Sequence, residues 1–275
     1  MTTETHETIS YEGGRRPQMD GRVVFVTGGT RGIGAAISHS FAQHGAVIAA
    51  GYSRNEEQAR KFLSELEGRD VKATLHQGNI ASGDDCRRTI SEVIEQHGRL
   101  DVLVNNAGIT IDKTVLKMDD DDWRKVIDVN LSGAFFMSQA ALPHMIERGS
   151  GRIINISSII GEIGNIGQAN YAASKSGLFG LTKTLAREAA YQLTKEGKLT
   201  DYGVGVTVNT VAPGFVATEM LEHIPDKVLD KIKGEIPLGR LARPDEVARV
   251  VHFLAAEQSS YITGAVWGVN GGQDM

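Results

Sequence analysis

From residue 23 onward, short β-branched runs alternate with longer stretches of helical length. The runs are "VVFVT" (23–27), "VIAAGY" (47–52), "VKATLH" (71–76), "DVLVNN" (101–106), "RIINIS" (152–157), "VGVTVNTV" (204–211) and "AVWGV" (265–269). Several carry consecutive apolar residues without strict alternation, which suits strands covered on both faces. Between them lie 33–45, 55–67, 83–97, 122–148, 170–195 and 244–257, each long enough for a helix. Regular strand–helix alternation predicts a parallel sheet with helices on both sides. No repeat, low-complexity tract or linker divides the chain. The expectation is an α/β fold: a single doubly wound domain over 20–275 with a seven-stranded parallel sheet.

Three segments stand outside this rhythm. Residues 1–19, "MTTETHETISYEGGRRPQM", are polar and read as a flexible tail without the apolar centre of a secretory signal. Met19 directly precedes the first ordered pattern and is a candidate start, which the mass of the native protein tests. Residues 191–203, "YQLTKEGKLTDYG", lengthen the connection before the sixth strand. Residues 215–237 form an excursion after it, with Met220, Leu221, Ile224, Val228, Leu229 and Ile232 approximating a helical stripe broken by Pro225. It leaves from a strand's carboxyl end, where open α/β sheets bind ligands. A substrate lid and a surface helix pair both fit it.

Composition narrows the class. Apolar residues make up 41% of the 275, enough for a sizeable core, and the formal net charge is −5. That charge argues against broad nucleic-acid or acidic-membrane binding. No run approaches the ~18 apolar residues of a membrane-spanning helix. Cys86 is the only cysteine, so no intrachain disulfide forms; a reducing cytoplasm is expected, with Cys86 an inert helix residue. The histidines include no helical i, i+4 pair, so no metal site is expected. The acidic run Asp119–Asp122 precedes a helix and reads as capping.

The loop after the first strand, "TGGTRGIG" (27–34), departs from G-x-G-x-x-G but sets Gly28, Gly32 and Gly34 at a helix entrance. Glycines there admit a tight turn and bring backbone amides to a pyrophosphate at the helix N-terminus. The second strand ends in "GYSRNEE", with no acid before Glu56 to bind a ribose 2′-hydroxyl. Ser53, Arg54 and, in the glycine loop, Arg31 suit a 2′-phosphate instead, guanidinium pairing with phosphate through charge-assisted bonds. NADPH is therefore expected, the alternative being two solvated arginines.

"NYAASK" (170–175) sets Tyr171 four residues before Lys175, on one helix face. Free tyrosine, with a pKa of about 10, is a poor acid or base at neutral pH, and a nearby ammonium lowers that value. Tyr191 and Lys195 repeat the spacing. Context separates the pairs: Ser158, at a strand's carboxyl end, stands thirteen residues before Tyr171, whereas the same step back from Tyr191 reaches Leu178 inside the helix. Tyr191 also lies about 30 Å further along the helix. Only Tyr171 and Lys175 can reach a cofactor on the glycine loop.

Together with "NNAG" (105–108), "VNL" (129–131), "NISS" (155–158), "PGFVAT" (213–218) and "VNGG" (269–272), these motifs resemble the short-chain dehydrogenase/reductases over essentially all of 21–275. The resemblance implies a Rossmann fold and a catalytic tetrad of Asn130, Ser158, Tyr171 and Lys175. Tyr171 would protonate the substrate oxygen and Ser158 would hold the carbonyl. Lys175 would bind the nicotinamide ribose and depress the tyrosine pKa, and Asn130 would anchor a proton-relaying water. The cofactor would meet Gly28, Thr30, Arg31, Gly32, Ile33 and Gly34 in the first loop. Beyond it would come Asn79 and Ile80 near the adenine, then Asn106, Ala107 and Gly108. Pro213, Gly214, Val216 and Thr218 would face the carboxamide. The family often has aspartate where Asn79 stands.

Within the family the chain is most similar to the β-ketoacyl thioester reductases, in "NNAGITID", "KMDDDDWRKVIDVNL", "GNIGQANYAASKSGL" and "GRLARPDEVA". A thioester of coenzyme A or acyl carrier protein is the expected substrate, with Gln168 facing it and Asp112 and Phe215 as further candidates. The helices at 122–148 and 170–195 imply a homotetramer by the same resemblance. The 191–203 segment departs from these relatives. A reductase for another carbonyl and a non-catalytic nucleotide binder remain as alternatives.

Overall fold

The structure, a computed structural model, describes residues 19–199, 203–219 and 225–275. Seven parallel strands form one sheet in the order β3-β2-β1-β4-β5-β6-β7. They are β1 (Val23–Val26), β2 (Val47–Tyr52), β3 (Ala73–Gln77), β4 (Val102–Asn105), β5 (Ser150–Ile156), β6 (Gly205–Pro213) and β7 (Val266–Val269). The helices are α1 (Gly32–Ala42), α2 (Glu56–Glu67), α3 (Gly83–His97), α4 (Asp120–Ile127), α5 (Gly133–Arg148), α6 (Ile160–Ile163), α7 (Ala169–Lys195), α8 (Asp226–Glu235) and α9 (Pro244–Ala255). All seven strands and the doubly wound order agree with the sequence pattern. Strand order reverses between β1 and β4, and the cleft at that reversal is where such folds bind ligands.

Successive strand residues feed two separate cores. Val24 and Val26 face α1 and α9, packing with Ile37, Phe41, Val251 and Leu254. Val23 and Phe25 face the opposite side, with Ile90, Met137, Leu185 and Ala189. Coverage of both faces explains why the strand sequences lack polar alternation. Met19 packs onto the folded body: its side chain is fully buried and its amide donates to the His44 carbonyl. The rest of the expected tail lies outside the described residues.

Residues 122–148 do not form one helix. The chain enters α4 two residues earlier, at Asp120, through a capping box between Asp119 and Asp122, as the acidic run suggested. It then passes through a π-helical turn over Asp128–Ser132 before α5. The extra residue of such a turn re-aims a side chain, here Asn130. In the excursion after β6, α8 starts directly after Pro225. Leu229 and Ile232 are only half-buried and Val228 is exposed. Met220, Leu221 and Ile224 lie outside the described residues.

A polar chain crosses the sheet beneath the cleft. Asn105 Nδ2 donates to Asn155 Oδ1 at 2.8 Å and to Ser138 Oγ at 3.0 Å. Asn155 Nδ2 donates to Thr182 Oγ1 at 2.8 Å, and Thr182 shares a 2.6 Å hydroxyl contact with Thr210. All five side chains are buried. Buried hydrogen bonds are directional, so this network ties β4, β5 and β6 in register to α5 and α7, with Asn105 Oδ1 left without a partner. Asn155→Ala strips partners from both Asn105 and Thr182. It should destabilise the protein by about 2–4 kcal/mol in denaturant titration, whereas Thr182→Ser, which keeps its hydroxyl, should cost less than about 1.5 kcal/mol.

Candidate active site

The glycine loop is shaped by contact with the end of β4. Gly28 adopts a φ of +61°, and a Cβ on Gly34 would lie 2.1 Å from the Gly28 carbonyl oxygen. No side chain fits there, so the entrance of α1 rests directly on the loop backbone. Ser38, one turn into α1, donates to the Gly29 and Gly34 carbonyls at 3.0 Å each. Asn106 Nδ2 donates to the Thr27 and Gly28 carbonyls, and Thr27 Oγ1 accepts from the Asn106 and Ala107 amides. The Asn106 side chain thus holds the loop's shape instead of turning outward.

The remaining nucleotide candidates lie along the strand ends. Thr30 is buried and Ile33 half-buried within the loop and the first turn of α1. Arg31 lies across from Glu219, 3.7 Å away, both largely exposed. Ser53 and Arg54 are exposed just after β2. An open cleft of about 590 Å³ there is lined by Tyr52, Ser53, Gln77, Gly78, Asn79 and Arg88. The Asn79 amide donates to Asp85, while half-buried Ile80 leans on the second core. After β6, the Gly214 amide donates to the Val269 carbonyl and Val216 bridges to Ala242. Pro213 accepts from the Ile159 amide, and Thr218 reaches toward Gly32. Phe215 is half-buried and accepts from the Ala242 amide through its carbonyl.

The four tetrad residues converge where β4, β5 and α7 meet. Ser158 follows β5, is nearly buried, accepts from the Ile160 amide at 3.1 Å, and its hydroxyl side chain acts to lower the pKa of Tyr171. Ser157 points the other way, its hydroxyl donating to the Lys175 carbonyl at 2.8 Å, which makes it a structural residue. Lys175 is 4% exposed; its Nζ donates to the Ile156 carbonyl at 2.8 Å and lies 5.6 Å from the centre of the Tyr171 ring. Asn130, brought inward by the π-helical turn, accepts from the Ile109 amide and donates to the Ile109 carbonyl and Ser174 Oγ. A Cβ on Gly108 would lie 3.4 Å from Asn130 Oδ1 and 3.5 Å from Lys175 Nζ, so glycine leaves open the space both face. The pair Tyr191 and Lys195 lies at the far end of α7, with Tyr191 64% exposed, away from all of this.

Burial dominates the electrostatics of Tyr171. Burial raises its pKa above the ordinary value; the Ser158 hydroxyl pulls it down and the Asp112 charge adds to the rise. The Lys175 ammonium lies beside the ring while it donates to the Ile156 carbonyl. Burial pushes Lys175 itself down to about 8. Burial thus weighs on the charged form of both groups.

The substrate candidates on the rim divide into two groups. Gln168 Nε2 donates to both Asp112 oxygens, at 3.1 and 3.2 Å, and Gln168 Oε1 accepts from Asn165. These residues meet beside Tyr171; Phe215 sits on another loop. Sequence reasoning missed Thr27, Ser38, Asn170 and Ser174. Asn170 Nδ2 donates to the Ile111 and Asp122 carbonyls, and Ser174 Oγ donates to the Tyr171 carbonyl. For Ser38, Asn170 and Ser174 the one sequence signal is a polar residue on the buried side of a helix; Thr27, directly after β1, carries none. Cys86 is buried and burial raises its thiol to about 11, as expected of an inert cysteine. Among the described residues there is no cluster of metal-ligating side chains, and no helix is long and apolar enough to cross a membrane.

The glycine cradle, with its positive φ and its missing Cβ at Gly34, fits a nicotinamide dinucleotide. Residues 22–229 match the family described as short chain dehydrogenase. The chain is similar to the 3-oxoacyl-[acyl-carrier-protein] reductase FabG of Thermotoga maritima, 43% identical and covering 93% of this chain and 98% of that protein. It is also similar to the enzyme of the same name from Staphylococcus aureus (42%, 91% and 97%) and to an acetoacetyl-CoA reductase of Shinella zoogloeoides (44%, 92% and 98%). The chain belongs to the short-chain dehydrogenase/reductase family and is an oxidoreductase.

Proposed function

We propose that the protein reduces a β-ketoacyl thioester to the 3-hydroxyacyl thioester with NADPH. The observation that carries this reading is buried Lys175 beside the Tyr171 ring, with buried Ser158 at the end of the neighbouring strand. The named activities of the similar proteins support the thioester, on carrier protein or coenzyme A. For the cofactor, the support is Arg31, Ser53 and Arg54 at a β2 end without a carboxylate before Glu56.

When bound, the nicotinamide supplies the hydride. The protein's own residues do the rest. Tyr171 Oη delivers its proton to the ketone oxygen as negative charge develops there. Ser158 Oγ donates to that oxygen and polarises the carbonyl. Lys175 places a positive charge beside the reacting centre, in a setting of low polarity where charge is felt strongly. Asn130, bonded to Ile109 and Ser174, fixes the floor of the space between Gly108 and Lys175. Gln168 offers an amide N–H to the thioester carbonyl. The grooved face between α5 and α7, with exposed Phe135 and Tyr191, supports subunit pairing into a homotetramer. On this reading the enzyme works in the cytoplasm.

With acetoacetyl-CoA and a carrier-protein thioester as substrates, oxidation of NADPH should exceed that of NADH by at least about ten-fold, the worth of one charge-assisted contact to the 2′-phosphate. Tyr171→Phe should lose turnover by about a thousand-fold, within the range for general acid catalysis. Preference for NADH would overturn the cofactor reading alone. Inertness toward both thioesters, with NADPH still bound, would move the substrate to another carbonyl class. Gln168→Ala should raise KM for the thioester about five-fold, the value of one hydrogen bond; an unchanged KM would remove Gln168 from the substrate contact.

A further inference from the structure

Tyr171 stands in the first turn of α7, where the opening amides of a helix have no carbonyl one turn back to bond. The usual remedy is a short polar side chain at the residue just ahead of the helix. Gln168 holds that place and its side chain makes no cap; it reaches Asp112 instead, at 3.1 and 3.2 Å. Asn170 serves the tyrosine from inside the helix, its Oδ1 accepting from the Tyr171 amide at 2.7 Å. At the other end of the same residue, Ser174 Oγ donates to the Tyr171 carbonyl at 2.7 Å. The tyrosine backbone is thus gripped on both sides by polar side chains of its own helix.

Both grips lead to one segment, the loop after β4. Asn170 Nδ2 donates to the Ile111 carbonyl at 3.1 Å, and to the Asp122 carbonyl in the first turn of α4 at 3.2 Å. Ser174 Oγ accepts from Asn130 Nδ2 at 3.1 Å, and Asn130 is bonded to both backbone groups of Ile109, at 2.9 and 3.0 Å. Asn130, Asn170 and Ser174 are all buried, and every side-chain donor they carry is engaged within this set. Fully satisfied buried networks are stiff. Closing the end of α7 would need only the Oδ1 contact. The two outward bonds of Asn170 do something else: they fix where the start of α7 sits against the loop after β4 and against α4.

We propose that Asn170 is a positioning residue for proton transfer: with Ser174 it locks the Tyr171 backbone to Ile109 and Ile111, so that the phenol stands at one fixed place beside Lys175 before substrate arrives. The inference rests on the reading of Tyr171 as proton donor.

The test uses the full chain and two readouts. The first needs neither cofactor nor substrate: the ring-carbon resonance of Tyr171 in tyrosine-labelled protein, assigned by its loss in Tyr171→Phe. In Asn170→Ala it should shift or broaden, while the circular dichroism stays that of the folded parent. The second is steady-state reduction of the thioester. Asn170→Ala should lower kcat by about a hundred-fold, the effect of a misplacement of roughly 1 Å. KM should stay within about two-fold of the parent, as expected when the lost interaction acts in the transition state alone. The solvent deuterium isotope effect on kcat should rise, because transfer from a misplaced donor becomes the slow step; a smaller folded fraction would leave it where it was. Ser174→Ala frees only the carbonyl end and should show the same signature with about a ten-fold loss of kcat, the worth of one hydrogen bond. It carries the test if Asn170→Ala does not fold. In the folded variant, an unmoved Tyr171 resonance or a fall in kcat without a change in isotope effect overturns the proposal and leaves Asn170 a helix cap. So does a kcat within about three-fold of the parent, less than one hydrogen bond is worth. Undiminished turnover by Tyr171→Phe would overturn the proton-donor reading and the kinetic half of this one with it, the resonance still reporting on the hold.

Discussion

A buried ammonium organises this molecule. Lys175 Nζ is held by the Ile156 carbonyl at the end of β5, and the Lys175 carbonyl accepts from Ser157 one residue further on. Strand and helix are joined there by two bonds running in opposite directions. They set where α7 starts, and with it the position of Tyr171 above the strand ends. Burial without a carboxylate partner pushes the lysine down to about 8, so below that pH the fold carries an uncompensated cation. The sign follows from linkage: a lysine whose folded pKa lies below its unfolded value burdens stability at low pH. The burden eases as pH rises from about 8 toward the unfolded value of about 10.4.

The surroundings serve to tolerate that cation and to leave space beside it. Gly108 withholds a side chain between Lys175 and Asn130. The π-helical turn gives up regular helix geometry to bring Asn130 inward, where its amide mates with both backbone groups of Ile109. The Asn105–Asn155–Thr182–Thr210 chain fixes the strand ends below. On the other side of the cleft, Gly34 seats α1 against Gly28 and presents the helix N-terminus to a phosphate. Function and local cost coincide at these positions, as is common where a site needs groups that a pure core would exclude.

The fold was legible in the sequence because its driving force is. Runs such as "VVFVT" and "RIINIS" carry the two-sided burial of a parallel sheet in their composition, and Gly28, Gly32 and Gly34 mark the turn into α1. The Tyr171–Lys175 spacing, read with Ser158, separated the site from the look-alike pair at Tyr191 and Lys195. The break at 128–132 was not legible, since "DVNLS" carries neither glycine nor proline and the turn is imposed by Asn130's pairing with Ile109. Nor was the direction of the pKa shift on Tyr171: it is set first by burial, which spacing along a helix does not determine. The Asp112–Gln168 clamp joins residues 56 positions apart and becomes visible only in three dimensions.

The most direct test compares thermal unfolding of the parent with Lys175→Met at pH 7 and pH 9.5. The central claim is that Lys175 is kept for chemistry at the expense of stability. It predicts that the variant melts higher at pH 7, by about 3–6 °C for a gain of one to two kcal/mol in a chain of this size. The difference should shrink at pH 9.5 as the parent lysine loses its proton, while turnover is absent at both. A variant that melts lower than the parent at pH 7, or a difference that does not change with pH, would contradict it.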